Sequence, residues 1–100
     1  MSKLNFYFYR GLIIVYPHGS LIINGSKTLI VKSRNFYTLV NKKLLLIEDK
    51  LALGYIILTD IYEINTNYFN KLRRYHLITN KEKNKWWPYK KILFMLIRLK

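Results

Sequence analysis

The sequence has 100 residues, of which 51% are hydrophobic, and its 18 Lys or Arg against five Asp or Glu give a formal net charge of +13. This length predicts one domain over residues 1–100, and the apolar content excludes a disordered chain. The absence of cysteine excludes disulfides and cysteine-ligated zinc. We find no apolar run long enough for a membrane span and no signal-peptide pattern, so we expect a cytoplasmic protein that binds no membrane.

The positive charge is distributed unevenly along the chain. Residues 71–100 contain ten basic side chains and only Glu82 as an acid, whereas residues 35–70 are nearly neutral and residues 1–34 contain five bases and no acid. An A/T-rich genome would enrich lysine, but it would not exclude acids so unevenly. The distribution therefore predicts a positive face that attracts phosphate backbones.

The first predicted element is a strand over Leu4–Tyr16, in which apolar and polar residues alternate and Gly11 marks a break. A short helix of about two turns is expected around Leu21–Ile23. It ends at Asn24–Gly25, because Asn-Gly favours a helix stop or a turn.

Residues 28–64 are expected to be mainly extended. Thr28–Ser33 is bounded by turn residues and is rich in β-branched side chains, and Lys43–Ile47 has the pattern of a short buried strand. Leu53–Ile64 predicts a longer strand, in which Gly54 indicates a bulge.

Over Asn65–Leu77 the spacing of apolar residues changes to that of a helix, and we expect Thr66 or Asn67 to cap it. Thr79–Glu82 matches the capping-box pattern and predicts a second helix that runs toward Trp87.

A final strand is expected over Lys91–Leu99, after Pro88 has ended the second helix. Most of the elements are strands, and the helices between them are short. The predicted fold class is therefore α+β, a small mixed β-barrel with short peripheral helices.

The first candidate site is the turn at Gly25 and the strand after it. A glycine turn lets the backbone approach a ligand, and Lys32 and Arg34 share one face of a strand because side chains alternate. A solvated turn is the alternative, and a P-loop is excluded because it needs a second glycine. The expected nucleic-acid contacts here are Gly25, Lys27, Thr28, Lys32, Ser33 and Arg34.

The second candidate segment is Lys71–Thr79, which contains Arg73, Arg74 and His76. His76 has the chemistry of an acid, a base or a ligand, although a lone histidine more often forms structural hydrogen bonds. His18 lies too far along the chain for a local metal motif, so we expect no metal site.

The third candidate segment, residues 83–91, interleaves aromatic and basic side chains. Bases stack on aromatic rings while lysines follow the backbone, which suits single-stranded nucleic acid. Adjacent residues on a helix point about 100° apart, so we expect one tryptophan in the core and the other exposed. The expected contacts are Lys85, Trp86, Trp87, Tyr89, Lys90 and Lys91.

The order of these elements resembles the ASCH domain of the PUA-like superfamily over nearly the whole chain. The most specific match is Leu21–Thr28, which is similar to the family signature I-x-x-G-x-K-T, and the strands Lys43–Ile47 and Leu53–Leu58 follow in the same order. His76–Thr79 and Trp86–Pro88 are similar to features of a viral or archaeal branch, which for a viral protein implies the host cytoplasm. The resemblance implies a PUA-like barrel with a cleft beside the Gly-x-Lys-Thr turn.

The resemblance also implies that this cleft binds RNA or a modified base. Some small ASCH proteins are amidohydrolases of acetylated cytidine, and others are ribonucleases. The amidohydrolases use the lysine of the motif, a threonine three residues later and a downstream glutamate. Lys27 matches the lysine, Ile30 stands in the threonine position, and Glu63 or Glu82 is available for the glutamate. Because Ile30 has no hydroxyl, we do not carry this activity over.

We therefore expect a non-catalytic domain that binds RNA, or single-stranded or modified nucleic acid, without a cofactor. One alternative is a hydrolase, either an amidohydrolase or a ribonuclease, with Lys27 as an activated amine and Glu82 or His76 as acid or base. Another alternative is a protein-interaction module whose basic face meets an acidic partner. No sequence signal sets an oligomeric state.

Overall fold

The computed structural model of the chain describes residues 10–90 and 92–98. Its strands form one five-stranded sheet in the order β1-β3-β4-β5-β2. The strands are β1 (Arg10–Ile13), β2 (Leu29–Lys32), β3 (Lys43–Glu48), β4 (Leu51–Asn65) and β5 (Ile92–Arg98). The helices are α1 (His18–Ile23), α2 (Thr66–Lys71), α3 (Arg73–His76) and α4 (Asn80–Trp86), and a 3-10 helix spans Tyr37–Leu39.

Strand β4 organises the sheet, since it is 15 residues long and pairs with a different neighbour along each half. Its first half pairs antiparallel with β3 and its second half pairs antiparallel with β5. The register shifts once opposite Leu46 and Ile47, beside Gly54, and again between Leu58 and Asp60. Such irregularities bend a strand, so β4 turns from one half of the sheet into the other. The bulge expected at Gly54 is confirmed.

Two groups of buried side chains form the interior. The main core consists of Leu12, Ile14, Ile22, Ile30, Leu39, Leu44, Leu46, Ile56, Leu58 and Leu96. The second core consists of Val31, Ile64, Phe69, Ile78 and Leu93. Neighbouring side chains of a strand point to opposite faces, which is why Ile30 and Val31 of β2 belong to different cores. Within residues 10–90 and 92–98, we find no helix that is long and apolar enough to cross a bilayer.

The α+β class with short peripheral helices is confirmed, and the mixed sheet of the described residues is not closed into a barrel. Strand β1 pairs with β3 and strand β2 pairs with β5, and no ladder between β1 and β2 joins these two edges in the described part of the chain. The Nζ atom of Lys32 instead donates a hydrogen bond to the carbonyl of Ile13. A side chain therefore bridges the seam at which a barrel would close its backbone ladder.

Most predicted elements are confirmed, with three differences. Gly11 lies inside β1, where it pairs with Leu45, and does not break the strand. The helix predicted from Asn65 to Leu77 is divided into α2 and α3. Its cap is Asn65, whose side chain accepts a hydrogen bond from the backbone N–H of Tyr68, and not Thr66 or Asn67. Residues 4–9 of the first predicted strand lie outside the described residues.

The position of α1 depends on a buried carboxylate from β3. Pro17 precedes the helix and makes no side-chain cap. Glu48 is 6% exposed. Its Oε1 atom accepts a hydrogen bond from the backbone N–H of Ser20 at 3.1 Å, and its Oε2 atom accepts one from the Ser20 hydroxyl at 2.8 Å. The carboxylate thus satisfies a free N–H of the first helical turn, as a cap would.

Gly19→Ala should destabilise the protein, because α1 and Glu48 pack closely at this glycine. An added Cβ would lie 2.9 Å from Leu53 Cδ1 and 3.0 Å from Glu48 Cβ. We expect the free energy of unfolding to fall by about 1–3 kcal/mol, the usual cost of overpacking. Urea denaturation measures it. Gly11→Ala is the control, and it should lower the free energy of unfolding less, because the one short contact of its added Cβ is with Cδ1 at the flexible end of the Ile47 side chain. An equal fall in both variants would contradict the account.

Candidate nucleic-acid interface

A cavity of about 220 Å³ lies at the open seam of the sheet. Its walls come from the segment after β1, from α1, from β2 and from the end of α4. The lining residues are Ile14, Val15, His18, Lys27, Val31, Lys32, Ser33, Ile78, Trp86 and Trp87. Five of the residues predicted from the sequence, namely Lys27, Lys32, Ser33, Trp86 and Trp87, therefore meet at one concave surface.

Lys27 extends from the turn after α1 into the protein. It is 1% exposed, and its Nζ atom donates a hydrogen bond to the backbone carbonyl of His76. Burial lowers the pKa of this amine from 10.5 to about 7, although the carboxylate of Glu82 opposes the shift. Near neutral pH, Lys27 is therefore present in both its charged and its neutral form.

His18 and Glu82 form a hydrogen-bonded pair beside Lys27. The Nε2 atom of His18 lies 2.8 Å from Oε2 of Glu82, and the histidine side chain is 3% exposed. Burial lowers the pKa of His18 despite the nearby carboxylate. Partial burial favours the protonated form of Glu82, but hydrogen bonds from Thr79 and His18 outweigh it and hold the pKa of Glu82 below its ordinary value.

The orientation of Glu82 is set by the first turn of α4. Its Oε1 atom accepts a hydrogen bond from the backbone N–H of Thr79 at 2.9 Å, and the Thr79 hydroxyl accepts one from the N–H of Glu82 at 3.1 Å. This is the capping box expected from the sequence, and it is confirmed. Oε1 of Glu82 therefore accepts the hydrogen bond of the cap, and Oε2 is the atom that is hydrogen-bonded to His18.

Both tryptophans line the cavity. They are half-buried, pack against the second core and contact each other edge to face, with ring centroids 5.5 Å apart. The expectation of one buried and one exposed indole is wrong, because Trp86 ends α4 whereas Trp87 has already left helical geometry. Their directions therefore do not follow the helical period.

An open groove continues from the cavity along the segment after α4. Its volume is about 430 Å³, and it shares Ser33, Trp86 and Trp87 with the cavity before reaching Tyr89 and Lys90. The side chain of Tyr89 is 94% exposed. An aromatic ring and a lysine are therefore presented to solvent beside the cavity mouth.

The remaining predicted contacts do not line the cavity. Gly25 is exposed with a φ of 87°, and an added Cβ would meet nothing within 4 Å, so this glycine serves the turn itself. Thr28 is half-buried, and Arg34 and Lys85 are exposed outside the cavity wall. Lys91 lies outside the described residues.

The ring of His76 is held by hydrogen bonds to the backbone. Its Nε2 atom lies 2.7 Å from the carbonyl of Phe69, and its Nδ1 atom accepts a hydrogen bond from the N–H of Ile78 at 2.9 Å. Its ring stacks on Phe69, and burial lowers the pKa of His76 to about 4. With both ring nitrogens bonded to backbone groups, His76 has no free nitrogen for acid–base chemistry.

The residues compared with the amidohydrolases are separated in the fold. Ile30 is fully buried in the main core and does not line the cavity. Glu63 is exposed on β4, whereas Glu82 bonds a residue of the cavity wall. Glu82 is therefore the glutamate that the fold places near Lys27.

His18 lines the cavity although the sequence did not indicate it as a site residue. It lies in a Pro-His-Gly segment that has the pattern of a turn, and its partner Glu82 is 64 positions away. No local signal marks either its burial or this contact. Among the described residues, no group of three His, Cys, Asp or Glu side chains forms a candidate metal site.

No protein-family model matches the sequence, and no curated protein matches it. Solved structures are similar in fold. The chain matches the crystal structure of the ASCH protein of Zymomonas mobilis (ZmASCH) with a TM-score of 0.77 and 11% identity, over 90% of this chain and 66% of that one. Two mutant structures of the same protein match with TM-scores of 0.77 and 0.76. The chain therefore has the ASCH fold and spans about two thirds of the length of ZmASCH.

The buried amine of Lys27 should make stability depend on pH. Its pKa is about 7 in the folded protein against 10.5 for an ordinary lysine, so between these values the unfolded state binds a proton that the folded state has lost. The free energy of unfolding therefore rises with pH in this window, by about 2 kcal/mol between pH 7 and pH 9. Below pH 7 the contribution of Lys27 to the free energy of unfolding changes little with pH, because the amine is protonated in both states.

Urea denaturation of wild type and of Lys27→Met at pH 7 and pH 9 checks this dependence. The substitution should abolish the rise, and Lys42→Met, which replaces an exposed lysine, should retain it. A rise of equal size in wild type and Lys27→Met would show that Lys27 is not its source.

Proposed function

We propose that this chain is a binding domain for single-stranded RNA that takes one base into the cavity and lays the adjoining backbone along the groove. The observation that carries the proposal is that the cavity and the groove are continuous, since Trp86 and Trp87 line both of them. Two indoles offer faces and edges to a planar ring, and aromatic side chains are the usual platforms for unstacked bases.

The size of the cavity favours a single base. About 220 Å³ is less than the roughly 300–1,000 Å³ of sites that take drug-sized ligands. A base inside a duplex would have to leave its stack to enter, which costs a few kcal/mol, whereas a base in a single strand is already accessible. The ASCH fold and the PUA-like resemblance favour RNA over DNA.

The charges around the cavity complement a phosphate backbone. Lys27 and Lys32 line the cavity, Lys90 lines the groove, and Lys85 is exposed on α4. Glu82, the one acid in residues 71–100, is bonded to His18. The surface beside the tryptophans therefore presents cations to an approaching nucleic acid.

Tyr89→Ala should weaken binding of a short single-stranded RNA by about 5- to 100-fold, which corresponds to the loss of one stacked base. Because Tyr89 is 94% exposed, folding should be unaffected. Tyr37→Ala is the matched control, since Tyr37 is 67% exposed and lines neither the cavity nor the groove. Fluorescence anisotropy with labelled RNA measures both, and equal affinities for the two variants would contradict stacking on Tyr89.

Binding should also weaken as salt concentration rises. Each phosphate contact to a single strand contributes roughly 0.7 to the slope of log affinity against log salt. Lys90→Ala should lower this slope by about that amount, whereas Lys42→Ala, on the segment before β3, should not change it. Affinity that does not respond to salt would rule out the proposed backbone contacts.

A second candidate function is hydrolysis of a modified nucleoside, and the lowered pKa of Lys27 favours it. A lysine that is partly neutral near pH 7 has the pKa expected of a general base. Incubation with acetylated cytidine tests this function by chromatography of the products. Turnover that disappears in Lys27→Ala would support it, and turnover that survives this substitution, or its absence in wild type, would exclude it.

A further inference from the structure

The cavity and the groove meet at a serine. Three residues line both spaces, namely Ser33, Trp86 and Trp87. Ser33 comes directly after β2, which ends at Lys32. Of the three side chains at this junction, the serine hydroxyl is the one that accepts a hydrogen bond as well as donating one, because an indole N–H only donates.

The hydroxyl of Ser33 is unpaired and accessible. It makes no hydrogen bond within the described part of the chain, where the buried polar side-chain atoms without a partner are Nδ1 of His18 and Nε of Arg73. The Oγ atom of Ser33 is not one of these buried atoms although the residue is half-buried, so it is open to solvent. A serine hydroxyl turns about one bond beside the backbone, so a group that packs on the residue from either space comes close to it.

The other hydrogen-bonding side chains of the cavity, apart from the indoles, already have partners. The amines of Lys27 and Lys32 each donate to a backbone carbonyl, and the ring of His18 is bonded to Glu82. Of the cavity's lining residues, Ser33 is therefore the one that offers an unpaired hydroxyl to a ligand.

The proposed function determines which part of a nucleotide reaches this junction. In that proposal the base occupies the cavity and the backbone follows the groove. The sugar connects the base to the backbone, so it lies where the cavity and the groove meet. The sugar of RNA carries a 2′-hydroxyl, which both donates and accepts and which distinguishes RNA from DNA.

We infer that Ser33 is a specificity-determining residue, which bonds the 2′-hydroxyl of the nucleotide whose base occupies the cavity. This inference rests on the proposed function and adds the means by which the site selects ribose over deoxyribose. The indole N–H groups and the ammonium groups of Lys27 and Lys32 only donate. The hydroxyl of Ser33 can accept the proton of the 2′-hydroxyl, so the selection depends on the sugar and not on the base.

The experiment compares short oligouridylates that have the same bases and phosphates and differ in the group at the 2′ position of the sugar. A hydroxyl gives RNA, a hydrogen gives the deoxy oligomer, and a fluorine keeps a ribose-like ring pucker without a proton to donate. We expect wild type to bind the RNA about three- to tenfold more tightly than either of the others, which is the contribution of one net hydrogen bond. Fluorescence anisotropy with labelled oligomers measures the three affinities.

Ser33→Ala removes the hydroxyl alone. Its affinity for RNA should fall to that of the deoxy and fluoro oligomers, and its affinity for these two should stay at the wild-type value. Ser26→Ala is the matched control, since Ser26 is exposed and lines neither the cavity nor the groove. This control should retain the wild-type preference for RNA.

The outcomes separate the inference from the proposed function. Equal binding of all three oligomers by wild type would overturn the inference and leave the cavity and the groove as a site for a single strand of either kind. Equal binding of RNA and the fluoro oligomer, or a preference that survives in Ser33→Ala, would also overturn it. Failure of every oligomer to bind would overturn the proposed function, and the inference with it. The wild-type comparison requires no substitution, so a folding defect in a variant cannot mask the result.

Discussion

The site depends on the burial of one amine, that of Lys27. Its hydrogen bond to the carbonyl of His76 joins the turn after α1 to the end of α3, two segments that are 49 positions apart. The backbone N–H of Thr28 adds a second link, a 2.9 Å bond to the carbonyl of Tyr75. His76 in turn binds Phe69 and Ile78, which belong to the second core. The lysine that lines the cavity is therefore also tied by hydrogen bonds to residues that pack in the second core.

The cavity exists because the sheet is left open. Strands β1 and β2 are four residues each, and each pairs along its length with one neighbour. Between them lies a seam that Lys32 bridges with a single side-chain bond to Ile13. A complete backbone ladder across this seam would fill the space in which His18, Lys27 and the tryptophans meet. The incomplete barrel thus provides the concave surface that the proposed function requires.

Much of the fold could be predicted because its signals are local. The β-branched residues of β2, the Asn-Gly stop after α1 and the capping box at Thr79 each involve neighbouring residues. The predicted cap of α2 lies one or two positions after the observed cap, because Asn65, Thr66 and Asn67 are all capable of capping a helix. The contact between His18 and Glu82 spans 64 positions, and it could not be predicted because tertiary packing alone brings these side chains together. The exposure of the tryptophans was missed because helical geometry ends between them.

The most direct test uses the fluorescence of the protein itself. The chain has two tryptophans and both line the cavity, so their emission reports on whatever enters it. Titration with a short single-stranded RNA should change the emission saturably, and the midpoint should move to higher RNA concentration as salt is added. Anisotropy of the labelled RNA should give the same affinity. Emission that stays constant while the labelled RNA binds would show that the base lies elsewhere and would contradict the account.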